Sequence, residues 1–341
     1  MNKLKTKLGN LKLENPLMNA SGVNCTAFEE LIELAESNLG AMITKTSSSN
    51  PRYGNPKPRY FDDDKLSINS MGLPNNGFEF YLSASSKSRI SQHSKPYVIS
   101  LSCLDIKETI DIIDRILSGD EPSLRINAIE INLSCPNVIG KGQIAYDFDN
   151  LPEIINKLLN PVYKYQSNSV TGIPIGFKLP PYFDQDHIRR VFNILEPDLQ
   201  KGGIQFLTLI NSPGNCLVID PEKETTVIHP KKGLGGLGGI GIKPIALANV
   251  WQFHNHLKEK DLLDKVTLIG CGGIRNGTDV YEHLLAGASL VQIGTQIKRE
   301  GVEKSTNRIL KELDDLLTRK GKIVEDVVGR LKVIKKIDQD V

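Results

Sequence analysis

The chain lacks most of the features that would place a protein quickly. Its five cysteines, at 25, 103, 135, 216 and 271, form no C-x-x-C pair, which leaves no zinc or iron–sulfur cassette. Their odd number in a chain of 341 residues points to reduced thiols and a cytoplasmic setting. No apolar run reaches the roughly 18 residues of a membrane span. The N-terminal "MNKLKTKLGNLKLENP" has no uninterrupted apolar core for a signal peptide. The net charge is only +2, with no basic tail and no arginines interleaved with aromatics. Nucleic acid and membrane surfaces are therefore not expected partners. The six histidines are scattered. His254 and His256 stand two apart on a helical pattern and point to different faces, so no metal is expected there. What remains, 39% hydrophobic and 24% charged residues, can build a packed core.

Eight short apolar runs recur along the chain: "PLMNAS", "GAMITKTS", "YVISLSC", "AIEINLSC", "IPIGFKLP", "FLTLINSP", "VTLIGCGG" and "LVQIGTQ". Amphipathic stretches such as "AFEELIELAES", "IKETIDIIDRIL", "DHIRRVFNILE", "PIALANVWQFHNHL" and "TDVYEHLLAG" separate them. Strand then helix, repeated, reads as an α/β protein of the (β/α)₈ TIM-barrel class. A doubly wound sheet is the runner-up, but such sheets are usually smaller. No low-complexity linker divides the chain, so residues 1–341 are expected to form a single domain. Two intervals, 48–81 and 214–243, are too long for one helix and its turns. Both follow strand C-termini, where barrels build their active sites, so they are expected to lie over the mouth.

Several polar residues interrupt these strands. Lys45 and Lys178 would be costly on apolar strands unless each ammonium is paired or reaches a wet cavity. With Asn132 and Asn211 on other strands they predict a convergent polar mouth for an anionic or electron-rich planar ligand. Gly233, Gly235 and Gly238 spell G-x-G-x-x-G, but no helix follows as a dinucleotide site requires, so that match is read as accidental. "CGGI" and "IGT", ending strands seven and eight, are the better phosphate cradles. In "AIEINLSCPN", one strand face carries Glu130, Asn132 and Ser134, and Cys135 closes the strand before Pro136. A thiol there is a usable proton acceptor if a neighbour lowers its pKa. Cys25 and Cys103 read instead as buried small hydrophobes.

Taken together, "NPLMNASGV", "ITKTSS", "GNPKPRY", "SINSMGLPN", "INLSCPNV", "FKLPPYFD", "INSPGN", "GGLGG", "KPIALANV", "GGI" and "EHLLAGASLVQIGT" resemble dihydroorotate dehydrogenase. The resemblance runs in order from about residue 5 to 335 and is nearest to the class 1A branch. It implies an FMN enzyme that oxidises dihydroorotate to orotate in pyrimidine biosynthesis. By position, Cys135 corresponds to the catalytic base. Lys45, Asn69, Ser70, Met71, Gly72, Leu73, Asn132, Asn211 and Ser212 fall where the family holds substrate. Ala20, Ser21, Lys45, Thr46, Asn132, Lys178, Ile210, Gly239, Gly272, Gly273, Gly294 and Thr295 fall where it holds FMN.

The class 1A branch further implies a cytoplasmic homodimer that reduces fumarate to succinate in the same pocket. The membrane-bound branch has a serine base and an N-terminal helical anchor, whereas this chain starts almost directly at its first strand. Three thiols depart from the family pattern. Cys103 stands for a small residue and is expected to crowd the flavin pocket, Cys216 for a glycine, and Cys271 for a threonine. Residues 160–174 are expected to form a surface insertion. Two rival readings are an FMN-dependent, dihydrouridine synthase-like RNA-modifying barrel, which should carry an extra basic domain, and a non-catalytic barrel used as a binding module.

Overall fold

The computed structural model describes residues 2–120, 125–134, 140, 142–166 and 172–334. Strand and helix alternate as the periodicity predicts: β1 (Leu17–Asn19), α1 (Phe28–Glu36), β2 (Met42–Ile43), α2 (Phe78–Ser86), β3 (Tyr97–Ser102), α3 (Ile106–Ser118), β4 (Ala128–Asn132) and α4 (Leu151–Gln166). The second half follows with β5 (Ile175–Leu179), α5 (Gln185–Gln200), β6 (Phe206–Leu209), α6 (Lys243–Glu259), β7 (Thr267–Cys271), α7 (Gly277–Ala286), β8 (Leu290–Ile293) and α8 (Val302–Lys320). The eight strands are parallel and adjacent in chain order, with β8 beside β1. A parallel bridge between Met18 and Ala41 joins β1 to the start of β2 and closes the barrel. Three of the helices start where a polar N-cap side chain satisfies a free backbone N–H group. Asp105 caps α3 by accepting from the Glu108 N–H, and Asp184 caps α5 by accepting from that of His187. Asn276 and Asp279 cap α7 reciprocally.

The outward faces of the strands and the inward faces of the helices share one large apolar core. A second, smaller core fills the barrel's N-terminal end. There Leu8 and Leu13 pack against Met18, Ile43, Val98, Phe206, Ile269 and Leu290. The two leucines come from an antiparallel hairpin, Thr6–Leu8 with Leu11–Leu13, that precedes β1. The expectation that the chain starts almost at its first barrel strand is corrected by this plug. Its signal was present in "TKLGNLKL", a Gly-Asn turn between alternating apolar residues, but three-residue strands leave little periodicity to read. Among the described residues, no helix is long and apolar enough to cross a membrane.

At the other end the two long intervals meet. Strands Tyr60–Asp62 and Ser67–Asn69 from the first pair with Leu234–Gly238 and Cys216–Leu217 from the second, in one antiparallel sheet. The G-x-G-x-x-G run is thus mostly a strand of this sheet and no nucleotide loop. Its glycines permit close approach: a Cβ on Gly235 would sit 2.6 Å from the Asn69 carbonyl oxygen. The presumed insertion at 160–174 is also corrected in part. Residues 160–166 continue α4, with Val162 buried and the Tyr163 hydroxyl donating to Asp198 on α5. Residues 167–171 lie outside the described residues.

One strand position tests the packing directly. A Cβ on Gly176 of β5 would lie 2.3 Å from both the ring and the carbonyl oxygen of Phe206, a fully buried neighbour on β6. Gly176→Ala should destabilise the protein by about 3 kcal/mol through overpacking. A lowered urea midpoint at unchanged m-value would show it, and an unshifted midpoint would contradict the barrel packing.

Candidate functional site

A cavity of about 880 Å³ opens at the C-terminal end of the strands, beneath the antiparallel sheet. That size falls within the range of small-molecule and cofactor sites. Seven of the eight barrel strands, all but β3, deliver residues at or just after their C-terminal ends to the wall, where side chains point past the hydrogen-bonded part of the sheet.

Ala20 and Ser21 follow β1, Lys45 and Thr46 follow β2, and Asn132 and Lys178 stand near the ends of β4 and β5; all six line the cavity. Ile210, Asn211 and Ser212 follow β6, Gly272 and Gly273 follow β7, and Gly294 and Thr295 follow β8; these too are on the wall. The roof comes from the mouth sheet and its turns, through Asn69, Met71, Gly72, Leu73 and Gly239. Ser70 departs from the expectation. It is fully buried behind the wall, its N–H donating to the Arg59 carbonyl and its own carbonyl accepting from Asn55. Alternation explains this, since Asn69 and Met71 face the cavity and Ser70 must face away. Cys135 lies outside the described residues, although Asn132 and Ser134 just before it both line the cavity.

Two cations are held on this wall with little access to water. Lys45 is 6% exposed, its Nζ 3.4 Å from the Ser21 carbonyl oxygen. Lys178 is 4% exposed, and its Nζ donates to Gln292 Oε1 at 2.6 Å and lies 3.9 Å from Cys271 Sγ. Burial works against the Lys178 charge, yet its pKa is held above the ordinary lysine value, with the Glu130 carboxylate among the groups that raise it. Burial pushes the Cys271 thiol up as well, so it is uncharged at neutral pH. The asparagines form a cluster: Asn211 Nδ2 donates to Asn132 Oδ1 at 3.3 Å, and that oxygen also accepts from the Ser134 N–H at 2.9 Å. Roof and wall are tied by a 2.9 Å hydrogen bond between the Ser67 and Thr295 hydroxyls.

Sequence reasoning passed over several of these groups. Gln292 lines the cavity from β8 and positions Lys178; a lone glutamine in "LVQIGT" was visible, but nothing in the run names its partner. Arg59, Tyr60, Arg275 and Arg299 also reach the wall, and Arg299 is anchored to Asp62 at 2.8 Å. His283 on α7 is fully buried, with Nε2 3.0 Å from the Gly272 carbonyl oxygen. Burial lowers its pKa to about 4, so the neutral ring donates that bond and fixes the glycine turn from behind. Of the divergent thiols, Cys271 is on the wall. Cys103 is 2% exposed and belongs to the apolar core, so it does not crowd the cavity. Cys25 is equally buried, and burial pushes its thiol up to about 12.

The donor set suits a planar, electron-rich ligand with an anionic end. It offers two ammonium groups on the wall, amides at one side, and glycine backbone at Gly272–Gly273 and Gly294. Comparison with known proteins agrees with this chemistry. The family model described as dihydroorotate dehydrogenase matches residues 3–317. The dihydroorotate dehydrogenase A (fumarate) of Lactococcus lactis subsp. cremoris is 44% identical over 331 residues, 96% of this chain and 99% of its own. The dihydroorotate dehydrogenase (fumarate) of Saccharomyces mikatae is 45% identical over 320 residues, 93% of this chain and 94% of its own. In fold, the chain matches the DHODH of Eimeria tenella, solved in complex with ferulenol, with a TM-score of 0.73 at 21% identity, covering 96% of this chain and 88% of that one. A closed barrel with two buried lysines at its mouth, matched over nearly its whole length by these relatives, belongs to the dihydroorotate dehydrogenase family, in its class 1A branch.

Proposed function

We propose that the protein oxidises dihydroorotate to orotate in pyrimidine biosynthesis, with FMN as cofactor and fumarate as final acceptor, and that it works as a single-domain cytoplasmic homodimer. The observation that carries the reading is the cavity wall, where two buried ammonium groups and a pair of asparagines converge at one barrel mouth. The residues fit FMN by the chemistry of their donors. Lys178 would face the edge of the flavin that becomes negative on reduction. The backbone of Gly272–Gly273 and Gly294–Thr295 would hold the phosphate, with Arg275 beside it on the wall. FMN, once bound, supplies the acceptor for the substrate's hydride.

The chain's own residues do the rest. Lys45 pairs the substrate carboxylate, assisted by backbone N–H groups of Met71, Gly72 and Leu73. Asn69, Asn132 and Asn211 match the amide edges of the pyrimidine, since each offers a donor and an acceptor, and Ser212 extends that set. Cys135 takes the proton from C5 of dihydroorotate while hydride leaves C6. The sheet over the mouth limits the entry of water. The same pocket then takes fumarate, a dicarboxylate that the same cations suit. An RNA-modifying barrel is not favoured, because the relatives matched over nearly the full length bear the dihydroorotate dehydrogenase name.

The purified protein should be yellow, and dihydroorotate should bleach it in a single turnover. Among acceptors, fumarate should restore the colour faster than NAD or a quinone. A colourless protein that takes up no added FMN would overturn the reading; a preference for NAD would overturn the fumarate assignment alone.

A further inference from the structure

Below the cavity floor lies a carboxylate that the proposed chemistry does not use. Glu130 on β4 is fully buried at the barrel centre. Among the described residues every hydrogen bond to it comes from a donor. Gln292 Nε2 and Thr208 Oγ1 reach its Oε2 at 2.7 and 2.8 Å, and Ser100 Oγ reaches its Oε1 at 3.4 Å. Three donors and no acceptor suit an ionised carboxylate. Two chains of hydrogen bonds run into it from opposite walls. On one side Lys178 Nζ donates to Gln292 Oε1 at 2.6 Å, and the same amide passes its N–H to Glu130. On the other, Asn132 Nδ2 lies 3.4 Å from Thr46 Oγ1, which is 2.9 Å from Ser100 Oγ. Either hydroxyl can donate in the Thr46–Ser100 pair, and Thr46 Oγ1 also lies 3.2 Å from Ser21 Oγ, so this second chain reaches the carboxylate without a fixed direction and the inference rests on the first.

We propose that Glu130 is a positioning residue for the redox step, acting through Gln292 to hold the Lys178 ammonium charged at the cavity wall. This rests on the function proposed above. The amide between the two charges explains the geometry. A direct ion pair would draw the ammonium down into the barrel, whereas an intervening glutamine conveys the attraction and leaves Lys178 at the wall. Packing alone gives no reason for a carboxylate here, because an apolar side chain fills a barrel centre at no desolvation cost. The charged and titratable groups acting on Lys178 are Glu130 from β4, Cys271 from β7 and Cys25 after β1. Lys45, after β2, acts on Cys25. Both thiols are held uncharged at neutral pH by burial, so among the described residues Glu130 is the carboxylate that acts on Lys178.

The test uses the full-length protein with FMN bound and reads the flavin midpoint potential against pH for wild type, Glu130→Gln and Gln292→Met. Removing the carboxylate makes the floor more positive, so the Glu130→Gln potential should lie above wild type at the acidic end. With its counter-charge gone, Lys178 should release a proton at lower pH, so the potential should then fall more steeply, by one extra proton, towards the alkaline end. Gln292→Met keeps the carboxylate but cuts the relay and should show the same steepening. In both, dihydroorotate should reduce the flavin about tenfold more slowly at alkaline pH, with KM changed less than about twofold. Both substitutions preserve volume, so either reads the relay if the other fails to fold. Curves parallel to wild type would overturn this proposal alone; a wild type that holds no flavin would overturn the functional reading with it.

Discussion

Replacing Cys135 with alanine is expected to slow flavin reduction by dihydroorotate by about 10²- to 10⁴-fold, the range for removing a general base, while the protein stays yellow. The proton at C5 must leave for the ring to become unsaturated, and no other group in "NLSCPN" combines a usable pKa with that place in the chain. Asn132 and Ser134, which precede it, both line the cavity. An ordinary thiol titrates near about 8.5, so activity should climb with pH through that range as the thiolate forms. Cys135→Ser should move the climb to higher pH, because a hydroxyl gives up its proton less readily. An alanine variant with wild-type reduction rates, or flat pH profiles in both proteins, would remove the thiol from this role.

How much could be read beforehand depended on the kind of signal. The eight barrel strands were legible because each is buried on both faces and reads as a short apolar run bounded by turns. Lys45, Lys178 and Asn132 stood out for the same reason, as polar groups where the run demanded apolar ones. The roof was harder. The intervals 48–81 and 214–243 were recognisable as too long, but their strands are two to five residues each and pair across more than 160 residues of chain, a distance over which periodicity is silent. Ser70 was misplaced because a motif names consecutive residues while a strand shows only alternate ones to a cavity. Cys103 was misplaced in the opposite sense, a strand-end thiol that turns into the core. Glu130 was visible as a charge on a strand, but its partners Thr208 and Gln292 come from β6 and β8, and only closure of the barrel brings them together.

Lys178→Met should reduce the rate of flavin reduction by about 10²- to 10³-fold, the scale of losing one preorganised electrostatic contact, with a much smaller effect on stability. The two effects separate for a physical reason. Methionine fills most of the space of the lysine stem and needs no partner, so the barrel loses one hydrogen bond and leaves Gln292 Oε1 without its 2.6 Å donor. An unsatisfied buried acceptor costs about 1–3 kcal/mol, and relief from burying an ammonium offsets part of that. Lys45, the other buried lysine of the wall, follows β2 and is assigned to the substrate carboxylate, so it is not expected to replace the Lys178 charge. FMN should still bind, because the glycine backbone after β7 and β8 is untouched, and its midpoint potential should fall as the reduced form loses its counter-ion. A variant that keeps the wild-type potential would show that Lys178 serves the fold and not the electron transfer. A variant that loses FMN altogether would instead place the lysine in cofactor binding and leave its electrostatic role without support.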